Sequence, residues 1–127
     1  MKRSIFLFLF VVVLEGCSQS QNITLLDVNQ FESHLHDKTD KIVLDVRTPD
    51  EYAAGHIAGA QLLDYYRSDF KTQVAKLDKN KPVYVYCASG GRSSSAAKIL
   101  AQTGFTRVYN LRGGINAWRK AGKPVQQ

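Results

Sequence analysis

Cysteine is scarce in this chain: among 127 residues there are two, Cys17 and Cys87. So few thiols cannot build the multi-bridge framework of a small disulfide-stapled domain. A long apolar run is also missing. The longest, Ile5 to Leu14, covers about ten residues against the roughly 20 that a membrane-spanning helix needs. Lys and Arg outnumber Asp and Glu by 17 to 11, a net charge of +6, yet no nucleic-acid-binding motif with stacking aromatics accompanies them. The positive residues are scattered, with some gathering late at Arg107, Arg112, Arg119, Lys120 and Lys123. A solvated basic surface explains them, and its functional use is to attract small anions. His34 and His36 lie two apart, which on a helix does not share a face, so they are read as exposed side chains and not metal ligands. There is no internal repeat and no second domain boundary. What remains is one domain of ordinary size, able to bury a core.

The N-terminal stretch is organised for export. Lys2 and Arg3 form a positive start, and the apolar run after them suits a signal-peptide core. Leu14-Glu15-Gly16-Cys17 resembles the bacterial lipoprotein cleavage box, which has an aliphatic residue three before the cysteine and a small one just before it. Glu15 departs from that box, where the position is usually small or apolar. The resemblance implies a signal peptide over 1–16, lipidation at Cys17, a polar tether over 17–22, and attachment to a membrane on the periplasmic side. Cys87 would then be the only free thiol of the mature chain.

From Ile23 onward the pattern alternates short apolar runs with helical periodicity. Ile23 to Asp27 reads as a lead-in strand, and Asp27 with Gln30 forms a capping box for a helix carrying Val28, Phe31 and Leu35. Lys41 to Arg47 is aliphatic without alternation, as expected of a strand buried on both faces. Thr48, Pro49 and Glu51 supply an N-cap, a first-turn proline and a capping-box partner, and Gly55 stops that short helix. Gln61 to Leu63 is extended. Asp64 to Leu77 contains a helix with Phe70, Val74 and Leu77 on one side. Val83 to Tyr86 is apolar throughout and belongs in the centre of a sheet. A small-residue helix from Ser94 to Gln102 ends at Gly104, Thr106 to Leu111 is a further strand, and Ile115 to Lys120 is a last helix anchored by Trp118. Strands alternating with helices define an α/β domain with a mostly parallel sheet.

Between the central strand and its helix stands Cys87-Ala88-Ser89-Gly90-Gly91-Arg92-Ser93. In open α/β sheets ligands bind beyond the carboxyl ends of the strands, where Cys87 is placed. A helix start favours the thiolate over the thiol. Gly90 and Gly91 allow the backbone to turn its amides inward as an anion nest. Arg92 adds a planar cationic fork suited to an oxyanion. A thiolate beside an anion site is open to phosphatase, reductase, redox-switch and sulfur-transfer chemistry.

Three motifs narrow this. Leu44 to Tyr52 followed by Gly55-His56-Ile57, then Tyr86-Cys87 with Gly90 and Arg92-Ser93, then Gly104-Phe105, Val108, Leu111, Gly113-Gly114 and Trp118 resemble the single-domain rhodanese family of sulfurtransferases. The resemblance runs from about Ile23 to Gly122, leaving 123–127 as a tail, and departs at Ala58, where the family usually has proline. It implies a three-layer α/β domain with helices on both faces of the sheet. It implies Cys87 as the nucleophile that takes the outer sulfur of a small anionic donor such as thiosulfate and hands it to cyanide, a thiol or a sulfur-accepting protein. In that picture Ala88, Ser89, Gly90, Gly91, Arg92 and Ser93 bind the substrate, and neither a metal nor an organic cofactor is required. The cysteine phosphatases have a loop one residue longer between cysteine and arginine, so the shorter ring here favours a sulfur atom over a phosphate. Asp45 with Arg47 is read as a structural pair, His56 as ordering its turn, and Trp118 as core. The alternative within the same chemistry is a persulfide carrier that works only with a partner protein.

Overall fold

The computed structural model describes residues 11, 12 and 22–127, so the signal-peptide and Cys17 expectations lie outside the described residues. Among the described residues five strands alternate with five helices: β1 (Ile23–Leu26), α1 (Val28–His36), β2 (Ile42–Asp45), α2 (Pro49–Ala53), β3 (Gln61–Leu62), α3 (Phe70–Ala75), β4 (Val83–Tyr86), α4 (Gly91–Thr103), β5 (Val108–Leu111) and α5 (Gly114–Lys120). The sheet has the order β1-β5-β4-β2-β3, and every pairing is parallel. The expected "mostly parallel" sheet is thus wholly parallel in its named strands. β2 and β4 are buried at every position, with Ile42–Leu44 and all of β4 apolar and Asp45 the one charged residue enclosed in them.

The sheet separates two apolar cores. On one face Phe70 and Val74 of α3 and Ala96, Ala97 and Leu100 of α4 cover Leu44, Val83 and Val85. On the other, Phe31 of α1 and Ile115 and Trp118 of α5 cover Val43, Tyr84, Tyr86 and Leu111. Phe31 is fully buried and meets Tyr84 and Trp118 edge-on at ring separations of 5.6 and 6.4 Å, the favourable quadrupole geometry. Both capping boxes form, at Asp27 with Gln30 and at Thr48 with Glu51.

Some local expectations change. The helix within 64–77 is confined to Phe70–Ala75, and Leu77 packs beyond its end. α2 is capped at Ala54, and Gly55 follows at φ +144°, its carbonyl taken by Arg47. His34 is not exposed. It is half-buried, with Nδ1 3.0 Å from the Tyr84 hydroxyl and its ring against Tyr84 and Tyr109, because α1 lies across strands that present tyrosines on that face. The tail folds back: Gln126 bridges His56 in antiparallel fashion, and Lys123 pairs with Glu32 at 2.8 Å.

Candidate active site

β4 ends the sheet's central axis at Tyr86, and Cys87 is the next residue, so the thiol stands at the carboxyl edge where the flanking strands also finish. The chain then turns through Ala88, Ser89 and Gly90 into α4. Gly90 makes that turn at φ +120°, a conformation that side chains bearing a Cβ rarely adopt. Gly91 does not share the task. It is the first residue of α4, has no positive φ, and a Cβ there would meet nothing within 4 Å. The loop needs one of its two glycines for its backbone.

Cys87 is 1 % exposed, and its sulfur is held from inside the loop. The Gly90 amide donates to Sγ at 3.0 Å, and as a thiol Cys87 donates to the Ser93 hydroxyl at 3.3 Å. Burial raises the thiol's pKa and is the largest single influence. The Ser93 hydroxyl and the backbone amides of Ser93, Gly90 and Ser89 act the other way and together prevail, so Cys87 ionises below the usual thiol value. These groups gather around the sulfur itself. Ser93 is fully buried with its hydroxyl against the sulfur, while Ser89 is exposed and Ala88 and Gly90 are half-buried.

Two supports of the loop were not anticipated. Ile115 and Asn116, at the start of α5, donate backbone N–H bonds to the Cys87 and Ala88 carbonyls at 2.9 and 3.0 Å. That approach needs Gly114, since a Cβ there would sit 2.5 Å from both carbonyl oxygens. The second support is a polar chain: the Asn110 amide donates to Ser94 Oγ at 3.3 Å, and Ser94 donates to the Gly90 carbonyl at 2.7 Å. Asn110 is buried, and its Oδ1 has no partner among the described residues. A lone amide side chain in an otherwise apolar strand was the signal in the sequence that could have found it.

Arg92 differs most from expectation. Its guanidinium is engaged by Glu51 through Nη1 to Oε2 at 2.8 Å and Nη2 to Oε1 at 2.9 Å. It also lies 5.6 Å from the centre of the Tyr66 ring. Glu51 was expected to serve the cap of α2, and it does this as well, accepting from the Thr48 amide and hydroxyl, each at 2.9 Å. Asp45 and Arg47 form the buried structural pair foreseen, closed by Nη2 to Oδ2 at 2.6 Å. His56 orders its turn, stacking on Tyr52 at 3.8 Å with Nδ1 3.0 Å from the Tyr52 carbonyl. Trp118 is core, its indole N–H donating to the Pro124 carbonyl at 2.9 Å.

A parallel α/β sheet with a cysteine held in an amide-lined loop at the end of its central strand defines a class, and sequence comparison places the chain within it. The rhodanese-like domain family matches residues 27–121. The chain belongs to the rhodanese-like domain family. A protein from Allochromatium vinosum named sulfurtransferase is 38% identical over 100 residues, 79% of this chain and 92% of its own. A Pseudomonas entomophila protein named thiosulfate sulfurtransferase GlpE is 43% identical over 79 residues, 61% of this chain and 70% of its own. Among solved structures, a rhodanese-related protein from Thermoplasma volcanium superposes with a TM-score of 0.70 at 30% identity, over 80% of this chain and 95% of that one.

Proposed function

We propose that the chain is a sulfurtransferase that carries sulfane sulfur on Cys87. The observation that carries this reading is the hydrogen bonding of Sγ. A buried thiol in an apolar setting would stay protonated, whereas here the Gly90 amide and the Ser93 hydroxyl reach the sulfur and favour its anion. The thiolate attacks the outer sulfur of a donor. A new sulfur–sulfur bond forms on Cys87, the donor's own bond breaks, and the leaving group departs with the electron pair. With thiosulfate that leaving group is sulfite. An acceptor thiol or cyanide then attacks the terminal sulfur and restores the thiolate. Two half-reactions through a covalent intermediate give ping-pong kinetics.

Ala88, Ser89 and Gly90 line the approach to the sulfur in this reading, and Ser93 tunes the nucleophile through its hydroxyl. The relatives named as sulfurtransferases support the class of reaction. A cyanide-linked assay with thiosulfate separates turnover from a carrier role. Steady thiocyanate production is expected. A Cys87 persulfide that forms only from a partner protein would favour the carrier.

We also propose that the protein works outside the cytoplasm, tethered by lipid on Cys17. Support comes from Lys2-Arg3, the apolar run to Leu14 and the Leu14-Glu15-Gly16-Cys17 box. Incorporation of a labelled fatty acid that is lost in Cys17→Ala is the expected result; equal labelling of both would refute the assignment.

A further inference from the structure

Residues of β4 and β5 stand opposite one another in a fixed register, Val83 with Val108, Tyr84 with Tyr109 and Val85 with Asn110. Carried on by two residues, that register sets Arg112 opposite Cys87. The backbones stay together there. The Arg112 amide donates to the Leu26 carbonyl of β1 at 2.8 Å, and three residues on, Ile115 donates to the Cys87 carbonyl at 2.9 Å. Adjacent strands lie about 4.8 Å apart, a gap that an arginine side chain spans.

Alternation along each strand then gives the face. Val83, Val85 and Cys87 belong to the core covered by α3 and α4, and so does Val108. Asn110 faces the same way, since its amide reaches Ser94 of α4, while Leu111 belongs to the opposite core. Arg112 comes next in that alternation, which puts it on the face of Cys87.

The charges at this edge of the sheet single out the same residue. A thiolate and an anionic donor repel each other, so their approach is favoured by a cation that is not already matched. Arg92 is held by both carboxylate oxygens of Glu51, Arg47 by Asp45 and Arg67 by Asp69. Ala88, Ser89, Gly90 and Gly91 are uncharged. Arg112 is exposed, and among the described residues its side chain has no ion-pair partner. Asp27, which follows β1 beside it, is turned to the cap of α1, where its Oδ1 accepts from the Gln30 amide at 2.8 Å.

We propose that Arg112 is the donor-binding cation of this site: it receives the anionic oxygens of the sulfur donor beside Cys87, the part that Arg92 was expected to play. The proposal rests on the sulfur-transfer chemistry assigned to Cys87 above.

The test uses the full chain. Arg112→Gln should raise the KM for thiosulfate by about 10-fold with kcat little changed, the pattern of lost ground-state binding. The site is open to solvent at Arg112, so the wild-type and variant KM values should converge with added salt. Arg112→Lys keeps the charge and should recover most of the loss. A second readout leaves sulfur transfer aside: the ratio of Cys87 labelling rates with iodoacetate, an anion, and iodoacetamide, its neutral analogue. The thiolate fraction cancels in that ratio, which should fall by about threefold in Arg112→Gln and hold in Arg112→Lys. An unchanged KM or an unchanged labelling ratio in Arg112→Gln, or a loss that Arg112→Lys shares in full, overturns the proposal. Failure of the underlying chemistry looks different: the labelling ratio falls as stated, yet thiosulfate adds no sulfur to wild-type Cys87.

Discussion

A thiol as enclosed as Cys87 would by burial alone resist ionisation, and only a few short-range hydrogen bonds reverse that tendency. The balance makes Ser93 the most informative single residue. A hydrogen bond to a charged group contributes about 1.5–3 kcal/mol. Ser93→Ala should therefore slow alkylation of Cys87 by about 10-fold near neutral pH and move its midpoint to higher pH, as read from the pH profile of iodoacetamide labelling. A profile that overlays the wild type would place the stabilisation elsewhere. Cys87 and its loop were legible as a site because a cysteine, glycines and an arginine stand together in sequence. The engagement of Arg92 was not, because Glu51 lies on another helix and already had a local role in its cap. Proximity across 41 positions is a property of the fold.

At the scale of elements, the loop is a strand-to-helix turn propped from behind by the start of α5. The glycines of these two elements should respond unequally. Gly114→Ala drives a methyl into the Cys87 and Ala88 carbonyls and should cut sulfur transfer by at least about 10-fold while destabilising the domain, since one of the two backbones must shift. Gly91→Ala meets open space in an ordinary helical position and should stabilise the domain by about 0.4–1 kcal/mol, with activity kept. Denaturant melts and the thiocyanate assay on both variants check the contrast. The helices and strands themselves were largely readable. Asp27 with Gln30 and Thr48 with Glu51 are local signals that act within one turn, and the short β-branched and aromatic runs Ile42–Leu44 and Val83–Tyr86 point to buried strands. Strand order, the contact of α5 with the loop, and the contact between His34 and Tyr84 depend on what packs across the sheet, and no local pattern encodes them.

For the whole molecule, two thin cores on either side of a five-stranded sheet mean that each large side chain matters. Phe31, fully buried, packs against both β4 and α5, so Phe31→Ala should destabilise by about 3–5 kcal/mol in urea titrations. Acid stability should report the link between α2 and the loop. The Glu51 carboxyl lies at about 2 in the fold against an ordinary 4.5. Its contribution is complete above pH 4.5 and is lost as pH falls through about 2. Glu51→Gln should accordingly be less stable than the wild type near neutral pH, with the gap closing in that window, as followed by thermal melts from neutral to acid. Asp37 and Asp69 are shifted in the same direction by Lys41 and Arg67, but both carboxylates are exposed and contribute little.

The central claim is that Cys87 bears sulfur as a covalent intermediate. The most direct measurement is the intact mass of the full chain after brief exposure to methanethiosulfonate or thiosulfate and removal of excess donor. The mass should rise by one sulfur atom, located to the Cys87 peptide, return to its starting value on addition of cyanide, and show no change in Cys87→Ser. An unmodified Cys87 peptide under conditions where sulfur transfer proceeds would contradict the account.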